Sequence, residues 1–197
     1  LYAMVSNPST APNVLLLYDR LWEGSGVAHS TTGNQAISGT PTRYSTSGTA
    51  QGNFIFLEVF STLGTTAHNV SFNYTDDQGN ARTGATVQAV VVSSTAGRIP
   101  ITPNPFYFWP INGGDRGVQA ITRVVLSAVS SGTSNAVLGH PIAFIPQPVA
   151  NSMVVMEGVG SALGLVPIAA GAALAFLEIK GVASATTYAG MATVASG

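Results

Sequence analysis

The chain has 197 residues, a formal net charge of −1 and only 8% charged side chains, against roughly 25% in typical soluble domains. Its seven Lys and Arg residues are scattered singly. Since neutralising phosphates needs clustered cations, we expect no nucleic-acid partner. The chain contains no Cys, which excludes disulfides and thiol chemistry, so its stability has to come from packing and assembly.

The first quarter of the chain predicts an extended lead-in, one apolar run and long loops. Residues 1–13 contain two closely spaced prolines and begin without an initiator Met, so we expect upstream residues to have been removed or to be missing. Residues 14–22 (VLLLYDRLW) are apolar, and their length fits either a short helix or a strand. Residues 23–53 are rich in Gly, Ser and Thr, which predicts loops with a short strand near 35–40.

Strand signals are strongest in the middle of the chain. Residues 54–63 are apolar on both parities, which predicts a central strand buried on both faces. Residues 69–75 alternate between apolar and polar side chains, and a turn follows at 76–80. Residues 85–92 then predict the strand that returns beside 69–75.

A further pattern follows an aromatic run at 106–109 and a polar glycine loop at 112–117. Residues 118–128 alternate with period two, and the Gly and Asn at 130–135 favour a tight reversal into a second strand at 136–145. This arrangement predicts a β-hairpin with one buried face.

The composition shifts towards Ala and Gly after Pro148. Residues 153–156 predict a short strand, and 172–179 and 188–194 predict the two strands of a final hairpin. Residues 158–177 carry no charge and are long enough to span a bilayer. Because Gly and Pro interrupt them, we expect a buried strand–loop–strand and no membrane partner.

Short two-faced strands joined by turn residues predict an all-β protein. The expected architecture is an antiparallel β-sandwich, jelly-roll-like, with long loops rich in Gly, Ser and Thr. We expect one sandwich domain over residues 14–197, preceded by the extended segment 1–13 and elaborated by a loop at 148–171.

Candidate catalytic side chains are sparse. The three histidines, His29, His68 and His140, lie far apart without metal-ligand spacing, and we interpret them as hydrogen-bonded residues. Glu58 is the best lone carboxylate, and we expect it to be salt-bridged or at a strand edge. No GxSxG motif or local Ser–His–Asp set occurs, so we predict no enzymatic activity, no cofactor and no metal.

The turn at 76–80 is the one candidate for a hard cation. Asp76, Asp77 and Asn80 carry oxygen ligands of the kind that calcium prefers, and Asp115 could join them in space. Asp, Asn and Gly are also the residues that turns require, and the full EF-hand pattern is absent. Whether this turn binds a cation stays open at the level of sequence.

Three segments carry a resemblance: 18–22 (YDRLW), 72–79 (FNYTDDQG) and 109–118 (WPINGGDRGV). They resemble a group of tailed-bacteriophage virion proteins in which a YDRL opening, a YTxxxG strand end and a PLxxGDxGV loop occur in this order. Ile111 stands where that loop usually has Leu, and residues 171–177 are similar to the last hairpin of the group. The resemblance implies a homotrimeric β-sandwich that glues neighbouring capsid subunits, and it supplies no catalytic residues.

We therefore expect a virion structural protein on the capsid surface, which decorates or cements the phage capsid. Its expected partners are other copies of the chain, as a homotrimer, and the major capsid protein, with no small-molecule substrate. The predicted interface or loop-anchor residues are Trp22, Tyr107, Trp109 and Arg116. Two alternatives stay open: a jelly-roll major capsid protein, and a carbohydrate- or receptor-binding virion module that uses aromatic faces.

Overall fold

The computed structural model describes residues 2–8, 13–37, 39–83, 88–102, 108–158, 168–180 and 188–194. Within these ranges the chain forms thirteen β-strands and no helix, which confirms the predicted all-β class. The strands are β1 Tyr2–Pro8, β2 Asn13–Ala28, β3 Gly33–Gln35, β4 Phe54–Ser61, β5 Asn69–Asp76, β6 Ala81–Arg82, β7 Gln88–Val90, β8 Ile101–Thr102, β9 Val118–Leu126, β10 Thr133–Gln147, β11 Val154–Gly158, β12 Leu174–Lys180 and β13 Tyr188–Val194.

The strands form three antiparallel sheets. Their orders are β11-β1-β13, β12-β2-β10-β4 and β3-β9-β5-β7-β8, with β6 paired to β5 beside the last path. The chain divides into two compact units, one formed by Leu1–Asp19 with Pro141–Gly197 and the other by Arg20–His140. Strands β2 and β10 run from one unit into the other.

The unit Arg20–His140 is a β-sandwich whose two layers meet in one apolar core. Strand β4 contributes Ile55, Leu57 and Val59 on one parity, because alternate side chains of a strand point to the same face. Facing them are apolar residues of the other sheet, among them Val70, Phe72, Tyr74, Val118, Ile121, Val124 and Leu126. Period-two alternation positions the core face of β5 and most of that of β9, as the sequence predicts, whereas Ile121 enters the core off that parity, where the β5–β9 pairing shifts register. The prediction that 54–63 form a central strand is wrong, because β4 lies at the end of its sheet, and apolar residues on both parities do not distinguish a central strand from a covered edge strand.

The unit Leu1–Asp19 with Pro141–Gly197 has its own smaller core. Leu15 and Leu17 of β2 pack with Ile142, Ala143 and Ile145 of β10. Strand β12 pairs with this half of β2, with Phe176 opposite Leu17. Strand β1 pairs with β11 on one side and with β13 on the other.

Strand β4 lies at the edge of its sheet, and loop backbone covers that edge. Val59 donates its backbone N–H to Arg98 at 2.9 Å and accepts from Gly97 at 2.8 Å. Farther along β4, the carbonyl of Ile55 accepts from the backbone N–H of Trp109 at 2.8 Å. These bonds satisfy groups that an edge strand would otherwise present to other chains.

Both predicted hairpins after residue 105 are wrong. Strand β9 pairs with β5 and β3, whereas β10 pairs with β4 and β2, so their connection crosses between sheets. Strands β12 and β13 likewise pair with β2 and β1 and not with each other. The reason is that a period of two assigns each side chain to a face of a sheet but does not name the neighbouring strand.

Several boundaries differ from the sequence prediction. The apolar run at 14–22 belongs to a strand, and that strand extends to Ala28 because Val27 also enters the core. The short strand expected near 35–40 is β3, which starts at Gly33 and pairs with the end of β9. The return strand expected at 85–92 is β7, and it pairs with β5 as predicted, while 84–87 lie outside the described residues.

The charge-free stretch at 158–177 is described only in part. Strand β11 ends at Gly158 and β12 begins at Leu174, and 159–167 lie outside the described residues. In the part of the chain that the structure describes, no helix is both long and apolar enough to cross a bilayer.

We expect Gly117→Ala to destabilise the sandwich by about 1–3 kcal/mol, the usual cost of forcing extra atoms into packed structure. A Cβ at Gly117 would clash with the backbone carbonyl of Ala50, which cannot swing away as a long side chain could. Gly113→Ala is the matched control, because nothing lies within 4 Å of its added Cβ. Urea unfolding followed by tryptophan fluorescence measures both, and equal midpoints would contradict the steric account.

Candidate functional site

The four predicted interface or loop-anchor residues lie in different environments. Trp109 is only 2% exposed, stacks edge-on against Phe72 with ring centroids 5.0 Å apart, and donates its indole N–H to the carbonyl of Val70 at 3.3 Å. It therefore anchors its loop to the core of its own chain. The Arg116 side chain is 65% exposed, and Tyr107 lies outside the described residues.

Trp22 is half-buried against the same core. Its indole lies over the backbones of Gly24 and Gly39, where an added Cβ would collide with the ring. The two glycines thus leave the space that the indole occupies. An interface role for the four residues stays a prediction.

The second and third phage-like segments meet in what we call the loop junction, formed by Tyr74, Asp76, Arg82, Asn112 and Asp115. The guanidinium of Arg82 bridges two carboxylates that are almost fully buried, at 2.7 Å from Asp76 Oδ2 and 2.9 Å from Asp115 Oδ1. Asp76 ends β5 and Asp115 precedes β9, so this ion pair ties two adjacent strands at the ends where their loops begin.

Tyr74 links the same two loops by hydrogen bonds. Its hydroxyl donates to Asp115 Oδ2 at 2.6 Å and accepts from the backbone N–H of Asn112 at 2.8 Å. Burial and then the bond to Asp115 raise the pKa of Tyr74 to about 12. The phenol therefore stays protonated throughout the physiological range and remains a donor.

Asp76 also organises its own turn. Its Oδ1 accepts from the backbone N–H groups of Gln78 at 2.9 Å and of Asn80 at 2.8 Å. Burial acts to raise the pKa of Asp76, but the hydrogen bonds from Asn80 and Gln78 and the charge of Arg82 outweigh burial and hold that pKa below its usual value. Asp76 is thus an ionised turn cap.

The carboxylate oxygens of Asp76 and Asp115 are already bonded within the chain. Asp76 and Asp115 share Arg82, and Asp77 Oδ1 accepts the backbone N–H of Arg116 at 3.0 Å. Among the described residues no group of three or more His, Cys, Asp or Glu is arranged to hold a metal ion. The arrangement favours a structural tie between loops over a cation site.

Glu58 is salt-bridged, in agreement with its interpretation from sequence. Its Oε2 lies 2.7 Å from a guanidinium nitrogen of Arg20, which also binds Glu23 at 2.7 Å. Asp19, beside Arg20 in the YDRLW segment, accepts the backbone N–H of Ala173 at 2.8 Å. Charged residues of this segment therefore hold neighbouring parts of the chain.

The structure brings two of the three histidines together with a serine. His29 Nδ1 lies 2.6 Å from His68 Nε2, and His29 Nε2 lies 2.7 Å from Ser134 Oγ. His29 and Ser134 are fully buried, and His68 is nearly so. Burial, and secondarily the charge of His68, lowers the pKa of His29 to about 4.

This His29–His68–Ser134 chain was missed because its members lie 39 and 105 positions apart. One signal could have pointed to it, since Ser134 is a polar residue on the same parity as the core residues Ala136 and Leu138. The arrangement resembles the hydroxyl-to-imidazole order of a serine nucleophile and its base. Ser134 is fully buried, so its Oγ is shielded from solvent in this fold.

His140 lies in a separate contact. Its ring stacks on Tyr44 with centroids 3.9 Å apart, and its Nδ1 lies 2.7 Å from Asn53 Oδ1. All three histidines are therefore hydrogen-bonded, as the sequence interpretation expects.

Comparisons with known proteins return no match, since no family model, no curated protein and no solved structure is similar to the chain. The phage-virion resemblance consequently depends on the three sequence segments alone.

We expect Arg82→Met to lower the stability of the protein at neutral pH, because it leaves Asp76 and Asp115 buried without a counter-charge. Stabilisation by an aspartate with a lowered pKa is present above its unfolded pKa and is lost as the pH falls through the folded pKa. The difference from wild type should therefore shrink towards pH 3, below the ordinary Asp value of 3.8.

The matched control for this substitution is Arg123→Met, because Arg123 is exposed on β9. Urea midpoints at pH 7 and pH 3 make the comparison. If Arg82→Met were no more harmful at pH 7 than the control, the loop junction would not depend on the ion pair.

Proposed function

We propose that this chain is a virion structural protein that decorates or cements a phage capsid. In this role, copies of the chain pack against one another as a homotrimer and against the major capsid protein. The fold supports the proposal, since an antiparallel sandwich is a rigid body whose faces and loops can contact several neighbours.

The observation that carries the proposal is a set of large apolar side chains at the surface of a charge-poor chain. Phe60 and Met153 are each 69% exposed, and Phe144, Phe176 and Val149 are about half exposed. With 8% charged residues and a net charge of −1, copies of the chain repel each other little. Contiguous exposed apolar patches mark sites that other proteins cover, and we propose that Phe144 and Phe176 belong to such a patch.

Burying these side chains would supply the binding energy. A Phe moved from water into an interface contributes about 1.5–3 kcal/mol before the cost of association is subtracted. One such contact is weak, but a shell repeats it many times, and linked contacts bind far more tightly than single ones. The mechanism is mechanical and requires no chemical step.

Polar chemistry inside the chain also favours a structural role. The carboxylates of the loop junction are paired with Arg82, Glu58 is paired with Arg20, and Ser134 is buried. Side chains that could act as acids, bases or nucleophiles are thus used to hold the fold.

Particles provide the direct test. We expect peptides of this chain in mass spectra of virions purified from the source of the sequence, and we expect the purified protein to sediment with those virions after they are stripped of it. A chain that remains in the supernatant and is missing from the virions would overturn the proposal. Assembly of the protein alone into closed shells would favour the major-capsid alternative.

Self-association provides the second test. We expect sedimentation equilibrium to give about three times the chain mass of 20.1 kDa. Phe144→Ser and Phe176→Ser should each raise the dissociation constant of the assembly about 10–100-fold if that ring is buried in the interface.

Thr122→Ser is the control for these substitutions, because Thr122 is an exposed strand residue that is already polar. It should leave the dissociation constant unchanged. A monomeric wild-type chain at high concentration, both with and without virions, would count against the trimer and the cement role together.

A further inference from the structure

The His29–His68–Ser134 chain joins three segments at one end of the Arg20–His140 sandwich. His29 follows β2, His68 precedes β5, and Ser134 lies at the start of β10. Backbone bonds accompany the side chains, since His29 donates its N–H to Gly132 at 3.0 Å and accepts from Ser130 at 2.7 Å. The end of the sandwich is therefore held together around these buried rings.

Only one arrangement of protons satisfies all the hydrogen bonds of the His29–His68–Ser134 chain when both imidazoles are neutral. His68 Nδ1 lies 2.9 Å from the carbonyl of Thr66, which can only accept, so His68 carries its proton on Nδ1. His68 Nε2 is then an acceptor, and His29 must donate from Nδ1 across the 2.6 Å distance. This leaves His29 Nε2 to accept the hydroxyl proton of Ser134 at 2.7 Å.

The same geometry limits how many protons the chain can bind. A first proton can enter at His29 Nε2, because the Ser134 hydroxyl can rotate and accept instead. A second proton would have to enter at His68 Nε2, where the N–H of His29 already points from 2.6 Å. Two buried N–H groups and two positive charges would then face each other, whereas the unfolded chain binds both protons freely.

Among the described residues, none of the groups that are bonded to the two imidazoles carries an opposite charge. The partners of the two imidazoles are a hydroxyl on β10, a carbonyl in the loop before β5, and each other. The loop that precedes β10 brings Ser130 and Ser131, which are uncharged. Among the described groups, His68 is the one whose charge acts on His29.

We propose that the His29–His68–Ser134 chain is an acid-sensitive latch, which holds this end of the sandwich closed while both imidazoles are neutral or share one proton and releases it when both are protonated. The latch is a property of the single chain and is independent of the proposed capsid role.

The sign of the pH dependence follows from linkage. The pKa of His29 is lowered from 6.5 to about 4, so the unfolded chain binds more protons in that window. The stabilisation that is present above about pH 6.5 is lost as the pH falls, and this loss levels off near pH 4. Between pH 7.5 and pH 5, we expect the proton binding of the His29–His68–Ser134 chain to lower the folding equilibrium constant at least about tenfold.

The test compares urea unfolding at pH 7.5, 6 and 5 for wild type, the double variant His29→Gln/His68→Gln, and His140→Gln. His140→Gln is the matched control, because it removes a buried histidine outside the latch. We expect wild type and the control to share the acid-induced loss and the double variant to lose most of it, whatever its stability at pH 7.5. An unchanged acid-induced loss in the double variant would overturn the latch.

A second measurement uses the wild-type protein and does not depend on how the variants fold. Nitrogen-15 spectra of the neutral protein should show the proton on Nδ1 in both His68 and His29. Amide exchange should show the protection of Gly64 and Ser130 falling in acid before that of Val124, which lies in the core. Independent titration of both rings near pH 6.5 would refute the proposal.

Discussion

Arg82 is the charge on which the loop end of the sandwich depends. Its guanidinium bridges two carboxylates, Asp76 and Asp115, that are almost fully withdrawn from water. Around this ion pair, Tyr74 and the turn after β5 complete the hydrogen bonds that the loops need. The loop that carries Trp109 is fixed from its other side, since the indole is inserted into the core. The Arg82 guanidinium thus ties the two loops together.

Sequence patterns predicted which side chains face the core better than they predicted which strands pair with each other. Alternation in β5 and β9 located the core, because an inward residue has to be apolar whichever strand lies beside it, whereas the apolar run of β4 was wrongly predicted to be a central strand. The same alternation says nothing of neighbours, so the β9–β10 and β12–β13 hairpins were wrong. Asp115 was considered as a residue that could join Asp76 around a cation, but Arg82 was not expected between them. His29, His68 and Ser134 were brought together by topology alone, and no local motif marks them.

The paired polar groups of the interior and the exposed apolar groups of the surface both agree with the proposed structural role. Glu58 is held by an ion pair with Arg20, and Ser134 is fully buried. Phe60 and Phe176, by contrast, expose 69% and 49% of their surface to solvent. This distribution agrees with the proposed role, in which polar groups are paired within one chain and exposed apolar groups are buried by neighbouring molecules.

The covered edge of β4 has a consequence for crowded conditions. Proteins rich in strands and poor in charge are prone to join edge to edge, and such growth has no natural end. Here the backbone groups of Val59 and Ile55 are already bonded to Gly97, Arg98 and Trp109, so this edge offers no template for an incoming strand. Contacts made there would have to use side-chain surfaces, whose shapes limit the number of neighbours. At these positions, association cannot proceed by adding a strand to β4.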